Sequence, residues 1–246
     1  MIKFFRHIRL LLLKENQMGK YFKYAIGEIV LVVIGILIAL QINNWNEHRK
    51  KNIEQQQLLK SIQAELEADV QMLNAFLEQT RQRQQTLEEE SKILSSSSFK
   101  TDSLVNFIRK DIYIYFQNFQ GFNNNTYTSA KSSGKIEIIN DEVKKELFDL
   151  SVMQEQVSKS DTNYHSVVLT ETNNLMRRYP FDLPFTYINK GDANALMWSK
   201  VDKKDLALQL NLWGTSKANL YRIRLREFQE VLEKTESILQ LLESTK

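Results

Sequence analysis

Few residues in this chain have the type and spacing that a catalytic or metal site requires. The three histidines, His7, His48 and His165, lie far apart in the sequence. Asp161 and His165 are four residues apart and could share a metal on one helix face, but without further clustered ligands a simple surface contact is favoured. Cys is absent, which excludes a disulfide scaffold, a thiolate metal site and a Cys nucleophile.

Two Ser-x-x-Lys pairs, Ser97 with Lys100 and Ser132 with Lys135, have the spacing used by penicillin-binding enzymes. The companion motifs of those enzymes are missing, and so are a Gly-rich phosphate loop and a Gly-x-Ser-x-Gly elbow. We therefore expect no catalysis, no cofactor and no metal, and we treat both pairs as chance matches.

The most unusual carboxylate is Glu28, which lies inside an apolar run. An acid within a membrane span is costly and usually has a partner or a proton. In the simpler interpretation, Glu28 lies one turn from the interface and is protonated or reaches a nearby Lys or lipid headgroups. In the alternative, it lies beside a face of small residues through which the span contacts itself or another membrane protein. That membrane-helix contact face comprises Gly27, Glu28, Leu31, Gly35 and Ala39.

The element that must carry this face is a transmembrane helix over residues 24–42. Its apolar core, 25–42, reads AIGEIVLVVIGILIALQI, and eighteen helical residues rise about 27 Å, close to the ~30 Å hydrocarbon thickness of a bilayer. A cleaved signal peptide is the alternative, but the run ends in Leu40-Gln41-Ile42-Asn43-Asn44, which is no small-x-small cleavage site. We expect the span to be retained.

The charge distribution indicates an orientation. Residues 1–23 hold six Lys or Arg against one Glu, a balance of +5, whereas the whole chain carries +3. This excess predicts that 1–23 is a basic, amphipathic cytoplasmic leader and that 43–246 is an extracytoplasmic domain; alternatively the leader is a frayed tail whose charges only set topology. Because the remainder carries −2, we expect no nucleic-acid partner.

Beyond the span the sequence predicts an all-α fold, with the transmembrane helix continuing into an elongated, antiparallel, four-helix-bundle-like domain. Only 7 Gly and 2 Pro in 246 residues favour long helices. Leu59, Leu66, Leu73, Leu87 and Leu94 recur at multiples of seven, which indicates one bundle helix up to Leu94. Further helices are predicted from about residue 104, through the run IYIYF at 112–116, and from about residues 140 and 203. Asn140 is expected to cap the helix that begins there, and Gly134 to end a short helix at about 126–133. The side chains expected to face inward on the last two helices are Val143, Leu147, Leu150, Val157, Tyr164, Val168 and Leu175, and Leu206, Leu210, Trp213, Leu220, Ile223, Val231, Ile238 and Leu242.

A loop near both prolines is rich in aromatic residues and gives a second candidate site. It could be a partner-docking surface, because exposed aromatic clusters often mark interfaces. Alternatively, the same side chains close the open end of the bundle. The residues concerned are Tyr179, Phe181, Phe185, Tyr187 and Trp198.

Two stretches resemble an uncharacterised single-pass membrane family common in Bacteroidota. YAIGEIVLVVIGILIALQINNWNE, residues 24–47, is similar to the family's hallmark span, and TYTSAKSSGKIEIINDEVKKEL, residues 126–147, resembles its second block, with Ala130 where Leu is usual. The leader MIKFFRHIR is also similar. The resemblance implies a bacterial inner membrane, with the domain in the periplasm, but it implies no activity and no functional residue.

These features favour a membrane-anchored structural or interaction module, such as an envelope scaffold, adaptor or accessory subunit. Its expected partners are the lipid bilayer and a second copy of the chain or another membrane protein, contacted through the span. The alternative is an extracytoplasmic sensor that binds a small ligand between bundle helices and signals through a partner.

Overall fold

The fold was analysed in a computed structural model that describes residues 18–110, 112, 114, 117–179, 181 and 186–244. Within these residues the regular structure is helical and contains no strand, so the all-α prediction is confirmed. Most of the predicted leader, residues 1–17, lies outside the described residues, as does Phe185.

Six α-helices account for most of the described chain. They are α1, Met18–Leu94; α2, Leu104–Lys110; α3, Asn125–Ser132; α4, Asp141–Arg178; α5, Gly191–Trp198; and α6, Lys203–Ser244. Two 3-10 helices, Thr101–Ser103 and Lys135–Ile138, precede α2 and α4 respectively.

The local signals that predicted the helix ends are visible in the structure. The Asn140 side chain accepts a hydrogen bond from the Glu142 backbone N–H at 2.7 Å and caps the N-terminus of α4. After α3, Gly134 adopts a left-handed conformation with φ of 74°, which a residue with a Cβ rarely adopts. The small helix α5 was missed because it lies between the prolines and α6, in a segment that we expected to be a loop.

The chain divides into two compact units, Met1–Gln57 and Leu58–Lys246. In the first unit, the apolar side chains of α1 are exposed on every side of the helix: Ile29, Leu31, Leu37 and Ile42 are all more than half exposed. In the second unit, α1 is amphipathic, and Ile62, Leu66, Leu73, Phe76 and Leu77 are all buried. Of the leucines in the seven-residue pattern, Leu66 and Leu73 are buried, and Leu59, Leu87 and Leu94 are half-buried.

Helices α4 and α6 of the second unit are antiparallel. Going along α4, Glu146, Asp161 and Thr172 contact Lys234, Arg224 and Trp213 of α6 in turn. The residue numbers of the contacting side chains thus decrease along α6 as they increase along α4, as antiparallel packing requires. The predicted inward residues of α6 are buried: Leu206, Leu210, Trp213, Leu220, Ile223, Val231, Ile238 and Leu242. On α4 one prediction was wrong, because Tyr164 is exposed.

The second predicted bundle helix is shorter than expected. Helix α2 ends at Lys110, and neither Ile112 nor Ile114 is helical, so the helix predicted through 112–116 is not formed at these two positions. Ile114 is nevertheless buried, in a cluster with Leu104, Ile108, Leu175 and Trp213. Its apolar character reflects burial, and a short apolar run does not distinguish a buried extended segment from a buried helix.

Residues 117–126 take the place of a second bundle helix; we call them the return segment. Phe119 packs on Phe76 of α1, Asn123 bonds to Asp69, and Thr126 bonds to Glu65. Partner numbers on α1 fall along the segment, so it runs antiparallel to α1. The up-down-up-down order expected of a four-helix bundle is therefore retained, although residues 117–124 are not helical.

Candidate functional site

The predicted membrane-helix contact face lies in the first unit. Gly27, Leu31, Gly35 and Ala39 are exposed, and Glu28 is partly exposed. Their spacing of four places them on one side of α1, because residues four apart are neighbours on a helix surface. A Cβ added at Gly27 or Gly35 would meet nothing within 4 Å, so the face has room for close approach by another helix.

The apolar surface around this face has the properties of a membrane span. Its most apolar 18-residue window has a mean hydropathy of 2.6, and none of that window is buried within the chain. The core helix of a soluble protein buries one side at least. This helix is thus long and apolar enough to cross a bilayer, and it lies near the N-terminus.

Three of the aromatic residues proposed near the prolines do not form a surface. Tyr179, Phe181 and Trp198 are buried together with Trp213 in one cluster, the arrangement expected if these side chains close the end of the bundle. Tyr187 is fully exposed, and Phe185 lies outside the described residues.

Tyr179 is held by an ionic contact between α4 and α6. Its hydroxyl donates to Oδ2 of Asp205 at 2.6 Å, and the same carboxylate accepts from Arg178 at 2.8 Å. Burial, reinforced by the bond to Asp205, raises the pKa of Tyr179 to about 12. This contact fixes the end of the bundle and has no feature of a reactive site.

A buried ion pair crosses the middle of the second unit. Arg224 donates to both carboxylate oxygens of Asp161, at 2.5 and 3.1 Å, and to the Gln117 carbonyl at 2.9 Å. Its guanidinium also lies over the Phe76 ring, 5.1 Å from the centroid. The group thus connects α4, α6, α1 and the return segment. Asp161, which the four-residue spacing suggested as a contact of His165, is buried and pairs with Arg224.

Asp69 is another buried acid, and it anchors the return segment. Oδ1 accepts from the backbone N–H and the side-chain amide of Asn123, at 2.9 and 2.7 Å, and Oδ2 accepts from Gln154 at 3.3 Å. Burial raises the pKa of Asp69, although the bonds from Asn123 oppose this effect. One turn earlier, Glu65 accepts from the backbone and hydroxyl of Thr126.

A groove of about 580 Å³ lies between the end of α1 and the first half of α6. The α1 wall combines Leu87 and Leu94 with the polar side chains Gln84, Glu88, Glu90 and Ser91. Phe99, Leu104 and Ile112 line it from the connection that follows α1. Pockets of roughly 300–1,000 Å³ are the usual size for small-molecule sites.

The α6 wall of this groove explains why the space is open. Four of the α6 positions that line it follow one helical stripe, and three of these four carry at most a methyl group: the stripe is Ala207, Asn211, Gly214 and Ala218. A Cβ at Gly214 would meet nothing within 4 Å. Leu210 and Trp213 also border the groove, although both side chains are buried. The small side chains on this stripe leave space between α6 and the end of α1.

A buried lysine lies in α6, on the turn after Trp213. The Lys217 ammonium is 4.3 Å from the centroid of the Trp213 ring and is almost fully buried. Burial lowers the pKa of Lys217 to about 8, while Glu90 of α1 acts in the opposite direction. Glu90 is itself buried and lines the groove, so its charge is offset by Lys217.

Sequence reasoning missed Asp69, Arg224 and the groove. Part of this could have been read from helix spacing. Lys217 and Arg224 lie on the same stripe of α6 as the buried Trp213 and Leu220. A charged side chain on a buried stripe needs a partner of opposite charge. Among the described residues no group of three or more His, Asp or Glu side chains has metal-site geometry. The described residues supply an apolar helix long enough to cross a bilayer and a groove large enough for a small ligand.

Over the part of the chain that the structure describes, fold and surface define an all-α protein with one candidate membrane span near the N-terminus. Residues 28–152 match the model of a family described as a family of unknown function, DUF6090. The match covers half of the chain and includes α1 from Glu28 onward and the return segment. The chain therefore belongs to this family. No curated protein and no solved structure matches it.

Proposed function

We propose that the protein is a membrane-anchored structural or interaction module. The observation that carries the proposal is the surface of α1 over residues 25–42, which is apolar and exposed on every side. Exposure of that much contiguous apolar surface to water is rare in soluble proteins, and a bilayer covers it completely. The role assigned to the second unit is contact with other envelope components as a scaffold, adaptor or accessory subunit, without catalysis.

The proposed location is a bacterial inner membrane, crossed once. The excess of Lys and Arg in residues 1–23 supports a cytoplasmic N-terminus. The domain that follows residue 42 is then periplasmic. Cysteine accessibility to an impermeant maleimide tests this: a Cys introduced near residue 75 is labelled in intact spheroplasts, and protection of that Cys until lysis contradicts the orientation.

The span also supplies a contact face for a second copy or another membrane protein. Gly35 and Ala39 form a small-x-x-x-small pair, and such pairs allow close helix approach in a bilayer. Gly35→Leu is expected to weaken association measured by cross-linking in the membrane. Leu37→Phe, which adds bulk on the other side of the helix, is the control and should leave cross-linking unchanged. If Gly35→Leu cross-links as well as the unmodified chain, the proposed contact face of the span is contradicted.

The interaction role is tested by purification of the full chain in a mild detergent. Co-purification of a second protein in a fixed ratio supports an adaptor or accessory subunit. The same yield of chain with no associated protein, in several detergents and after cross-linking in cells, contradicts it.

A second candidate function is a sensor that binds a small ligand between the helices of the periplasmic domain and signals through a partner. The groove between α1 and α6 favours it, because its volume suits a small molecule and two different helices line it. A thermal-shift screen tests it: a ligand that binds only the folded domain raises its melting temperature, and a broad library without any such ligand counts against a sensor.

A further inference from the structure

We infer that the groove between α1 and α6 binds an amphipathic organic cation, with its apolar body on Leu87 and Leu94 and its ammonium head at Glu88. The inference rests on the second proposed function, and it adds the site and the chemical class of the ligand. It is independent of how the chain is held in the membrane.

The size and the lining of the groove define an amphipathic ligand. At about 580 Å³ the space exceeds a single side chain and is in the range of drug-sized molecules. Its accessible apolar side chains include Leu87, Leu94 and Phe99, whereas Gln84, Glu88 and Asn211 supply polar groups. A fully polar ligand leaves these apolar side chains uncovered, and a purely apolar one desolvates the polar groups without replacing their hydrogen bonds.

The charges of the groove exclude an acid and favour a cation. Its described lining includes two carboxylates, Glu88 and Glu90, and no Lys or Arg. Glu90 is offset by Lys217. Glu88 is exposed, and within the described residues its side chain accepts only from the amide of Gln84, at 2.9 Å. The unbalanced charge of the groove is therefore that of Glu88, which attracts an ammonium group and repels a carboxylate or a phosphate.

The test uses three probes that share one apolar body. The full chain, in nanodiscs of phosphatidylcholine, is titrated with 4-phenylbutylamine, 4-phenylbutanol and 4-phenylbutyrate by saturation-transfer NMR, with empty nanodiscs subtracted. The amine is expected to bind at least about fivefold more tightly than the acid, as a partly exposed charge contact allows. The alcohol is expected to lie between them.

Two pairs of variants locate the binding. Gly214→Leu places a side chain in the groove and is expected to weaken amine binding about tenfold or more, while Gly214→Ala adds one methyl and should change it little. Because a Cβ at this position meets no neighbour and Gly is a poor helix former, neither variant should lower the melting temperature. Glu88→Gln is expected to weaken amine binding about two- to fivefold. Glu89→Gln is its control, since Glu89 makes the equivalent bond to Gln85 but does not line the groove.

Each contrary outcome has a defined meaning. Equal binding of the three probes, or tighter binding of the acid, overturns the cation class and leaves a ligand site in place. Amine binding that Gly214→Leu does not weaken overturns the assignment to this groove. Binding of none of the probes overturns the inference and also removes the groove as support for a sensor, while the membrane-anchored module is judged separately by the cross-linking and purification described above.

Discussion

The two parts of helix α1 present different surfaces although they belong to one helix. Over residues 25–42 the side chains are apolar on every side and exposed. From Leu58 to Leu94 the helix has one buried apolar stripe, and its other side carries Glu, Gln and Arg. The first part contains one acid, Glu28, and the second contains many, of which Asp69 is fully buried.

The distribution of apolar side chains around a helix depends on what covers the helix. In the second part the apolar stripe is covered by α4, α6 and the return segment, so a stripe suffices. In the first part no side of the helix is covered by the described chain, and the apolar residues are distributed around it. A uniform apolar medium requires that distribution, whereas a protein interface does not.

The largest expected effect is that of charges placed in the apolar part. Val33→Arg with Leu37→Arg introduces two cations four residues apart in the span, and each is expected to oppose insertion by about 2.5–3.5 kcal/mol. We expect the doubly substituted protein to move from the membrane pellet to the soluble or aggregated fraction in ultracentrifugation. Gln71→Arg with Ala75→Arg, at exposed positions of the second part, is the control and should remain membrane-bound. If both doubly substituted variants stay in the membrane pellet to the same extent, the difference proposed between the two parts of α1 is contradicted.

Truncation of a buried leucine is expected to give the next largest effect. Leu77 is fully buried, and Leu77→Ala should lower the free energy of unfolding of the domain by about 3–5 kcal/mol through lost burial and the cavity left behind. Leu37→Ala removes the same atoms from an exposed position of the first part and should leave that free energy unchanged. Chemical denaturation in detergent, followed by the circular dichroism of the second unit, measures both. A similar loss in the two variants would show that the apolar part packs on protein.

Removing an acid is expected to destabilise the domain when the acid lies in the second part of α1, and to leave its stability unchanged when the acid lies in the first part. Asp69→Ala leaves the donors of Asn123 and Gln154 without their acceptor, at a cost of about 2–3 kcal/mol in the free energy of unfolding. Faster hydrogen exchange at the Asn123 amide should accompany the loss. Glu28→Gln is the matched change in the first part, and it should alter neither quantity. An unchanged Asn123 exchange rate in Asp69→Ala contradicts the role of Asp69 as the anchor of the return segment.

The smallest effect is a pH dependence from Lys217. Its pKa of about 8 in the folded chain is below the ordinary value near 10.4, so between these two values the unfolded state binds more protons than the folded state. Stability from this group therefore rises with pH in that window, by about 2 kcal/mol between pH 8 and 10.

The comparison variant is Lys217→Met, which keeps the apolar stem and removes the titrating group. The difference in unfolding free energy between the unmodified chain and this variant should grow in favour of the unmodified chain from pH 8 to 10. The range stops at pH 10 because deprotonation of tyrosines in the unfolded state adds its own pH dependence above it. A difference that stays constant over this range contradicts the burial of a charged Lys217 against α1.

The sequence predicted most of what depends on periodicity. Leu66 and Leu73 of α1, and Leu206, Val231 and Ile238 of α6, lie inward as expected, because a helix repeats every 3.6 residues and burial selects one face. The capping residue Asn140 and the turn at Gly134 were equally readable, since each satisfies a purely local requirement.

What the sequence did not reveal depends on which residues meet across the bundle. Asp69 interrupts the apolar pattern, and only the position of Asn123 shows that the interruption is an anchor. Arg224 lies between Arg222 and Arg226, which are exposed, and its burial against Asp161 follows from the packing of α4 on α6. The groove could not be predicted because the sequence of α6 alone does not show that Gly214 faces α1.

The central claim is that lipid, and not protein, covers residues 25–42. Because the chain contains no Cys, single Cys residues can be introduced one at a time from 25 to 57 and spin-labelled in the full chain reconstituted in lipid vesicles. Power saturation then compares accessibility to oxygen, which dissolves in lipid, with accessibility to a water-soluble nickel chelate. We predict high oxygen and low nickel accessibility at every position of 25–42, without helical periodicity, and the reverse from about residue 46 onward. Oxygen accessibility that oscillates with a period near 3.6 residues within 25–42, or high nickel accessibility there, would contradict the account.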